Sequence, residues 1–165
     1  MTAVADYEEF FSDNYSQVVR ALTVALGDTQ RAEDAAQVGF EQAFRKWRTV
    51  GEMARPSTWV YVVAVRQQRR WLRDDRRRPA ADGMREGPDP SEAGVTAASL
   101  REALAALTPR QRTAVVLRHV GDLDLADTAE AMGVAVGTVK ATLHAAYRRL
   151  RVNDADLMED SDAAR

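Results

Sequence analysis

The sequence predicts an all-α protein of two small helical modules joined by a flexible linker, and three observations support this. Apolar residues recur at helical spacing on both sides of residues 79–98, a stretch rich in Pro and Gly and poor in large apolar side chains. Strand-like alternation is not evident, and the apolar run Trp59–Val65 has flanks that favour a helix. The expected boundaries are a first module, the linker, a second module and an acidic tail, over residues 1–78, 79–98, 99–151 and 152–165.

Three helices are predicted in the first module, over residues 7–26, 30–48 and 58–77. Asp6, followed by Glu9 three residues later, resembles a capping box at the start of the first helix. Gly27 is expected to end that helix, and Ser57 is expected to cap the third. Apolar side chains of the second helix, among them Phe40 and Phe44, are expected to face the core.

The second module carries stronger local signals for helix ends. Thr108 is followed by Pro109 and then by Gln111, which predicts an N-cap, a proline in the first turn and a capping box. Gly121 is expected to end that helix in a left-handed conformation. Asp124 can cap a short helix over residues 125–132, Gly133 can supply a left-handed turn, and a longer helix is expected over 136–151. A short helix, a tight turn and a longer helix form the helix-turn-helix pattern.

Composition excludes several classes of function. The 165 residues include no Cys and only two His, which rules out disulfides, thiol catalysis and zinc sites built from cysteine or several histidines. No nucleophile–base pairing or phosphate-binding glycine loop is evident, so neither an enzyme nor a bound cofactor or metal is predicted. The N-terminus lacks the order of a signal peptide, and the longest apolar run is too short to span a membrane. The protein is therefore expected to be cytoplasmic.

Charge is concentrated although the net charge is only −2. Residues 66–78 hold seven Arg against two Asp, a local charge of +5, whereas residues 153–165 hold five acidic residues against one Arg, a local charge of −4. Trp59, Tyr61 and Trp71 are interleaved with the arginines, which suits phosphate binding beside stacked, unpaired bases. The alternative is a solvated helix end whose aromatic residues pack in the core.

The helix-turn-helix pattern points to double-stranded DNA. In this motif the N-terminal part of the second helix enters the major groove. Its outward positions include Thr138, Lys140, Thr142 and His144, which can reach base edges or phosphates, and Arg148 suits a backbone contact further along. The alternative is a three-helix core with an ordinary solvated face.

Taken together, these residues resemble the extracytoplasmic-function (ECF) sigma factors of bacteria, two-module proteins that bring RNA polymerase to promoters. The segments AEDAAQ (32–37) and FEQAFRKW (40–47) look like the polymerase-binding helix of region 2. The segment RPSTWVYVVAVRQQRRWLRDDRRR (55–78) looks like the part of region 2 that melts and reads the −10 element. Residues 100–151, with LTPRQR and GVAVGTVK, look like region 4, which reads the −35 element.

The resemblance implies a role for each matching position. The partners implied are core RNA polymerase and promoter DNA, as duplex at −35 and as a single strand at −10. Polymerase binding falls to Asp34, Gln37 and Glu41, with Phe40 and Phe44 packed inside. Binding of the −10 element falls to Trp59, Arg66, Arg69, Arg70 and Arg73. Binding of the −35 element falls to Arg118, Thr138, Lys140, Thr142, His144 and Arg148.

Three departures from the family pattern bear on these roles. Val38-Gly39 replaces an acidic residue after Gln37, which predicts altered polymerase binding. Ala135 replaces the usual Ser cap of the recognition helix, at a cost of about 1 kcal/mol. Ala141-Thr142 replaces Ser-Arg, which removes a guanidinium from the DNA face and predicts altered −35 recognition.

Two other functions stay open at this point. One is a self-sufficient helix-turn-helix regulator with a dimerising or sensing first module, which the basic aromatic helix 59–78 disfavours. The other is a module that binds polymerase or a helical partner without reading DNA. Many ECF factors are also held inactive by an anti-sigma protein between the modules, and the linker over 79–98 would permit this.

Overall fold

The computed structural model describes the backbone of residues 3–77 and 102–150, and the side chains of 4–75 and 102–150. Every regular element in these ranges is a helix, so the all-α prediction is confirmed. The predicted linker and the acidic tail lie outside the described residues. Residues 102–105 are helical, and the other helices are α1 (Ala3–Leu26), α2 (Thr29–Arg45), α3 (Trp47–Val50), α4 (Pro56–Arg77), α5 (Pro109–His119), α6 (Leu125–Met132) and α7 (Val136–Leu150).

The first module is built by α1, α2 and α4 packing around an apolar core. Val18 and Leu22 of α1, Phe40 of α2 and Val60 of α4 are at most 1% exposed. The Tyr7 hydroxyl donates a hydrogen bond to the carbonyl oxygen of Phe40 over 2.8 Å, which ties α1 to α2. Aromatic rings of these two helices and of α3 lie 4.8–6.2 Å apart and fill the end of the module where α1 begins.

Helix starts in the first module differ from the predicted ones. The first helix begins at Ala3, so Asp6 lies within its first turn, and one of its carboxylate oxygens is buried without a hydrogen bond. The third long helix begins at Pro56, because a proline fits the first turn, and this places Ser57 inside the helix instead of at its cap. The second helix ends at Arg45, and α3 follows it directly.

Most of the residues that cap helices at the turns within each module are as predicted. Gly27 has a φ of +69° and ends α1, and the Asp28 carboxylate accepts a hydrogen bond from the backbone of Arg31 at the start of α2. Thr108 and Gln111 form the predicted capping box, and Asp124 caps α6 through the backbone N–H of Asp127. The left-handed residue after α5 is Asp122 (φ 53°), so the prediction for Gly121 was wrong; Asp is among the few side chains that tolerate this conformation.

The capping box is expected to contribute to the stability of the second module. The Thr108 hydroxyl accepts a hydrogen bond from the backbone of Gln111, and the Gln111 side chain accepts one from the backbone of Thr108. Thr108→Ala is expected to lower the free energy of unfolding by about 1 kcal/mol, because it leaves an N–H of the first turn of α5 without its partner. Urea titration followed by circular dichroism measures this. Thr49→Ala, at an exposed site, is the control, and an equal loss in both variants would contradict the prediction.

The two modules pack against each other through α1, α4, α5 and α6. The same buried cluster as the core of the first module also contains Val116 and Leu117 of α5, Leu123 of the loop before α6, and Ala131 of α6. The Thr113 hydroxyl also donates a hydrogen bond to the carbonyl oxygen of Ala25 in α1, over 3.2 Å. A second cluster, which includes Val139, Leu143 and Tyr147 of α7, is the second module's own core. In the described parts of the chain, none of the helices combines the length and apolarity needed to cross a bilayer.

Candidate nucleic-acid interface

The predicted polymerase-binding residues lie along one exposed stripe of α2. Asp34, Gln37 and Glu41 are three or four residues apart, so they share one face of the helix, and all three are exposed. Asp34 accepts a hydrogen bond from Gln30 over 3.0 Å, and Glu41 pairs with Arg45 at 2.5 Å. These bonds stay within α2, so the carboxylates remain on the surface of the module.

Phe44 continues this stripe, which sequence reasoning missed. It was expected to pack inside, but 51% of its side chain is exposed although its ring lies 4.9 Å from that of Tyr7. Its companion Phe40 is buried as expected. The three-residue step from Glu41 to Phe44 was the available signal, since it keeps Phe44 on the face that carries the polar side chains.

Gly39 does not belong to this exposed face. It is buried in α2, and a Cβ atom there would lie 2.9 Å from Cγ1 of Val60 and 3.0 Å from the carbonyl oxygen of Val60 in α4. The absence of a side chain therefore allows α2 and α4 to approach closely. This packing is a reason for Gly39 that is independent of any partner.

A basic stripe runs along α4, as predicted. Trp59, Arg66, Arg70 and Arg73 are spaced by three, four or seven residues, and the three arginines are exposed. Trp59 is half-buried against the core, and the Lys46 ammonium lies 5.9 Å from the centre of its ring. An aromatic edge beside a row of guanidinium groups can bind stacked bases and phosphates of a single strand.

Arg69 lies on the same stripe but faces the second module. Its guanidinium donates a hydrogen bond to the carbonyl oxygen of Ala131 over 3.3 Å. Burial and the charges of Arg73 and Arg66 lower the pKa of Arg69, which nonetheless stays protonated in any ordinary buffer. Arg66 also reaches the second module, through an ion pair with Glu130 at 2.9 Å. Two of the predicted −10 residues are thus engaged within the chain.

The helix-turn-helix is formed by α6, the turn at Gly133 and α7. Gly133 has a φ of +63°, the left-handed conformation predicted for it, and its N–H bonds back to the end of α6. Val139, Leu143 and Tyr147 turn inward, whereas Val136 in the first turn of α7 is 40% exposed. The turn fixes which face of α7 is presented outward.

The outer face of α7 carries the predicted −35 residues. Lys140, His144 and Arg148 are exposed at intervals of four residues and form one row. Thr138 and Thr142 form a neighbouring row, in which the Thr142 hydroxyl donates to the carbonyl oxygen of Thr138 over 2.7 Å. Arg118 lies elsewhere: it is half-buried on α5 and donates to the carbonyl oxygen of Leu123, which braces the loop before α6.

His119 links α5 to the recognition helix and gives the second module a pH-dependent contact. Its Nε2 atom lies 2.7 Å from the Tyr147 hydroxyl. Burial, and then the charge of Arg118, lower the pKa of His119 from 6.5, although the end of a helix would by itself favour the cation. The unfolded chain therefore takes up the proton first, and folding stability is lost as the pH falls from about 6.5.

His119→Gln is accordingly expected to reduce the acid sensitivity of the fold. The wild-type melting temperature should fall between pH 7.5 and pH 5.5, and part of that fall should come from protonation of His119. The variant should fall less, because its side chain does not titrate. His144→Gln, at an exposed histidine, serves as the control. An unchanged pH dependence in His119→Gln would contradict this assignment.

Comparisons with known proteins agree with both modules. The model of Sigma-70 region 2 matches residues 10–78, and the model of Sigma-70 region 4 matches residues 97–150. The RNA polymerase sigma-E factor of Streptomyces coelicolor is 29% identical over 92% of this chain and 87% of its own length. The ECF RNA polymerase sigma factor SigW of Bacillus subtilis is 26% identical over 94% of this chain and 90% of its own length.

A solved structure shares the fold. The sigma factor RpoE of Bartonella quintana, crystallised with the anti-sigma factor NepR, has a TM-score of 0.67 to this chain. The match covers 88% of this chain and 94% of that one at 18% identity. Among the described residues, His, Asp and Glu side chains are not grouped in a way that could hold a metal ion.

Proposed function

Because the chain belongs to the ECF sigma factors, which direct RNA polymerase to promoters without any catalysis of their own, we propose specific roles for its surfaces. The exposed stripe of α2 binds core RNA polymerase. The basic stripe of α4 binds the opened −10 strand, and the outer face of α7 binds duplex −35 DNA. The first module then corresponds to residues 1–78 and the second to residues 99–151, and the protein acts in the cytoplasm, where the polymerase is.

The stripe of α2 suits a protein partner. It combines the exposed polar groups of Asp34, Gln37 and Glu41 with the exposed ring of Phe44. An aromatic side chain beside charged groups is typical of interface hot spots, because the ring supplies buried area while the charges set the orientation. We therefore add Phe44 to the polymerase-binding set.

The stripes of α4 and α7 suit two different forms of DNA. Guanidinium groups on α4 neutralise phosphates, and Trp59 offers a ring against which a base can stack after it leaves the duplex. On α7, Lys140 and Thr138 present donors of the right length for base edges and phosphates in the major groove, and the Thr142 hydroxyl, which donates within α7, can accept a hydrogen bond. When two linked modules bind the same DNA, their binding constants combine multiplicatively. The affinity of each module alone can therefore be low.

The observation that carries the proposal is that an exposed basic row on α4 and an exposed polar and basic row on α7 lie on separate modules, beside a polar-aromatic stripe on α2. A regulator that acts without polymerase has no need for the α4 stripe. The Bartonella structure adds a further expectation, since that sigma factor was crystallised in complex with an anti-sigma factor. We extend the proposal to a protein partner of that kind, which would hold the modules away from polymerase.

Transcription in a reconstituted system tests the proposal. The purified protein is added to core RNA polymerase that lacks any sigma factor, with genomic fragments as templates. Discrete start sites that share one −35/−10 pair are the expected result, and they would also give the recognition sequence. Specific binding to naked DNA without binding to polymerase would favour the stand-alone regulator. Stable binding to polymerase without transcripts from any fragment would favour the interaction module.

Lys140→Glu is expected to abolish −35 recognition. The substitution replaces an ammonium that faces the groove with a carboxylate that repels phosphates, so the affinity for duplex −35 DNA should fall at least about tenfold. The helix should remain folded, because Lys140 is exposed. Fluorescence anisotropy with a duplex taken from an identified promoter measures the affinity.

Arg110→Glu provides the matched control, because it makes the same charge reversal at an exposed site on α5 in the same module. It should change the affinity for the −35 duplex far less. Equal losses in both variants would show that only the net charge of the module matters. Binding of Lys140→Glu to core polymerase should be retained.

A further inference from the structure

The end of the α4 stripe that holds Trp59 and Arg66 faces a row of carboxylates contributed by the second module. A cavity of about 570 Å³ lies between them, with Trp59, Val63 and Arg66 on the α4 side. The opposite side is lined by four acidic residues of α6 and the loop before it, namely Asp122, Asp124, Asp127 and Glu130. These carboxylates lie close enough together to influence ionisation: burial and the charges of Asp124 and Glu130 raise the pKa of Asp127.

Direct bonds join the two sides. The Arg55 guanidinium pairs with the Asp122 carboxylate at 2.5 Å and also donates to the carbonyl oxygen of Asp122 over 3.1 Å. Arg66 pairs with Glu130 at 2.9 Å. A carboxylate oxygen and a phosphate oxygen offer a guanidinium the same kind of acceptor. Toward α4, the acidic row therefore occupies the place of a phosphate backbone.

Arg69 extends the contact over the turn of the helix-turn-helix. Its guanidinium lies in the space left by Gly133, because a Cβ atom on that residue would overlap it. There it donates to the carbonyl oxygen of Ala131, at the C-terminal end of α6, where the helix dipole favours a cation. The bond thus links a predicted −10 residue to the motif that reads the −35 element.

Apolar burial holds this arrangement more firmly than the ion pairs do. Arg66 and Glu130 are both about half exposed, and exposed pairs contribute little to stability. In contrast, Leu117, Leu123 and Ala131 are fully buried in the cluster that includes Val60 of α4. The outer face of α7 is not involved: Lys140 and Arg148 remain exposed.

We propose that residues 122–131 act as an internal mimic of the DNA backbone, covering Trp59, Arg66 and Arg69 of the −10 surface on α4 in the free protein while the −35 face of α7 stays open. This inference rests on the proposed function. Free protein therefore binds duplex −35 DNA but binds single strands poorly. Productive binding to polymerase and opening of the −10 element require the modules to separate.

A reversible crosslink across the cavity tests the proposal. The chain has no native cysteine, so Val63→Cys and Asp127→Cys together can be joined by a bifunctional methanethiosulfonate reagent long enough to span the cavity. The crosslinked protein should lose promoter-specific transcription with core polymerase, and dithiothreitol should restore it. Binding of duplex −35 DNA should not change. The single-cysteine variants, treated with the same reagent, control for the modification itself.

The outcomes separate this proposal from the proposed function. If the crosslinked protein transcribed as well as the reduced protein, the proposed covering of α4 by residues 122–131 would be overturned. If the wild-type protein itself failed to transcribe, the proposed function would be refuted. Binding of a fluorescein-labelled oligothymidine strand would still test whether residues 122–131 cover α4. Crosslinked protein that bound this strand as well as the reduced protein would refute the covering.

Glu130→Gln provides a second, milder test. Removing the carboxylate frees Arg66, so the affinity of free protein for the oligothymidine strand should rise about two- to fivefold, within the range that an exposed ion pair allows. Glu8→Gln makes the same charge change on the exposed surface of α1 and should leave the affinity unchanged. An equal rise in both variants would show a general charge effect and contradict the proposal.

Discussion

Replacing Gly39 by Asp is expected to unfold the first module. A Cβ atom at this position would lie 2.9 Å from Cγ1 and 3.0 Å from the carbonyl oxygen of Val60, so α2 and α4 would have to move apart. The carboxylate would also be buried between two helices and would face a backbone oxygen that repels it. Overpacking costs about 1–3 kcal/mol and an unpaired buried charge several more, which together approach the whole stability of a small domain.

Two matched variants show whether packing is the cause. Gly39→Ala should cost less, because alanine favours the helix by about 1 kcal/mol and this offsets part of the crowding. Val38→Asp places the same carboxylate one residue earlier, on the half-buried side of α2, and should keep the fold. Urea titration followed by circular dichroism measures all three. A Gly39→Asp protein as stable as Val38→Asp would contradict the close approach.

Gly39 also shows where sequence reasoning stopped. The pair Val38-Gly39 was interpreted as a departure on the polymerase-binding face, because its position in the chain places it beside Gln37. The structure gives Gly39 a packing role against Val60 in α4, and no periodic pattern within α2 reveals how close a second helix will come. The family resemblance implied an outward position for Gln37 and Glu41, and both are exposed, as their spacing of one helical turn allows.

Several helix ends were predicted correctly from local signals, whereas the expected caps at Asp6 and Ser57 were not formed. Thr108 with Gln111, Asp124 and Gly133 each act through backbone groups within three or four residues, so the sequence contains the whole interaction. The left-handed residue after α5 was misplaced by one position. A glycine in that loop suggested that it takes the left-handed conformation, whereas Asp122 takes it and pairs with Arg55 from the other module.

The candidate site was predicted residue by residue but not as an assembly. The rows on α4 and α7 follow from helical spacing, and their exposure agrees with this. That Arg66 and Arg69 bind the second module could not be predicted, because the contact depends on how two modules pack across a stretch without periodic signal. The aromatic residue Phe44 was assigned to the core by its hydrophobicity, although the geometry of α2 leaves it half exposed.

Leu117→Ala is expected to destabilise both modules together. Leu117 lies on α5 but is fully buried in the cluster that contains the core of the first module. Truncation should lower the free energy of unfolding by roughly 2–5 kcal/mol, from the lost apolar contacts and the cavity that remains. The three tryptophans, Trp47, Trp59 and Trp71, all lie in the first module, so their fluorescence reports mainly on that module. The urea midpoint for unfolding of the first module should therefore shift, although the substitution lies in the second module.

Comparing tryptophan fluorescence with circular dichroism, which follows the helices of both modules, makes this test decisive. If the modules unfold as one unit, tryptophan fluorescence and circular dichroism give coincident transitions in both the wild-type protein and Leu117→Ala. Val120→Ala, near the end of α5 where the side chain is 45% exposed, should shift neither. A tryptophan transition that stays in place while part of the helix signal is lost at lower urea would show independent modules. The closed arrangement would then be too weak to cover α4, because the apolar contacts around Leu117 are what hold the acidic row against it.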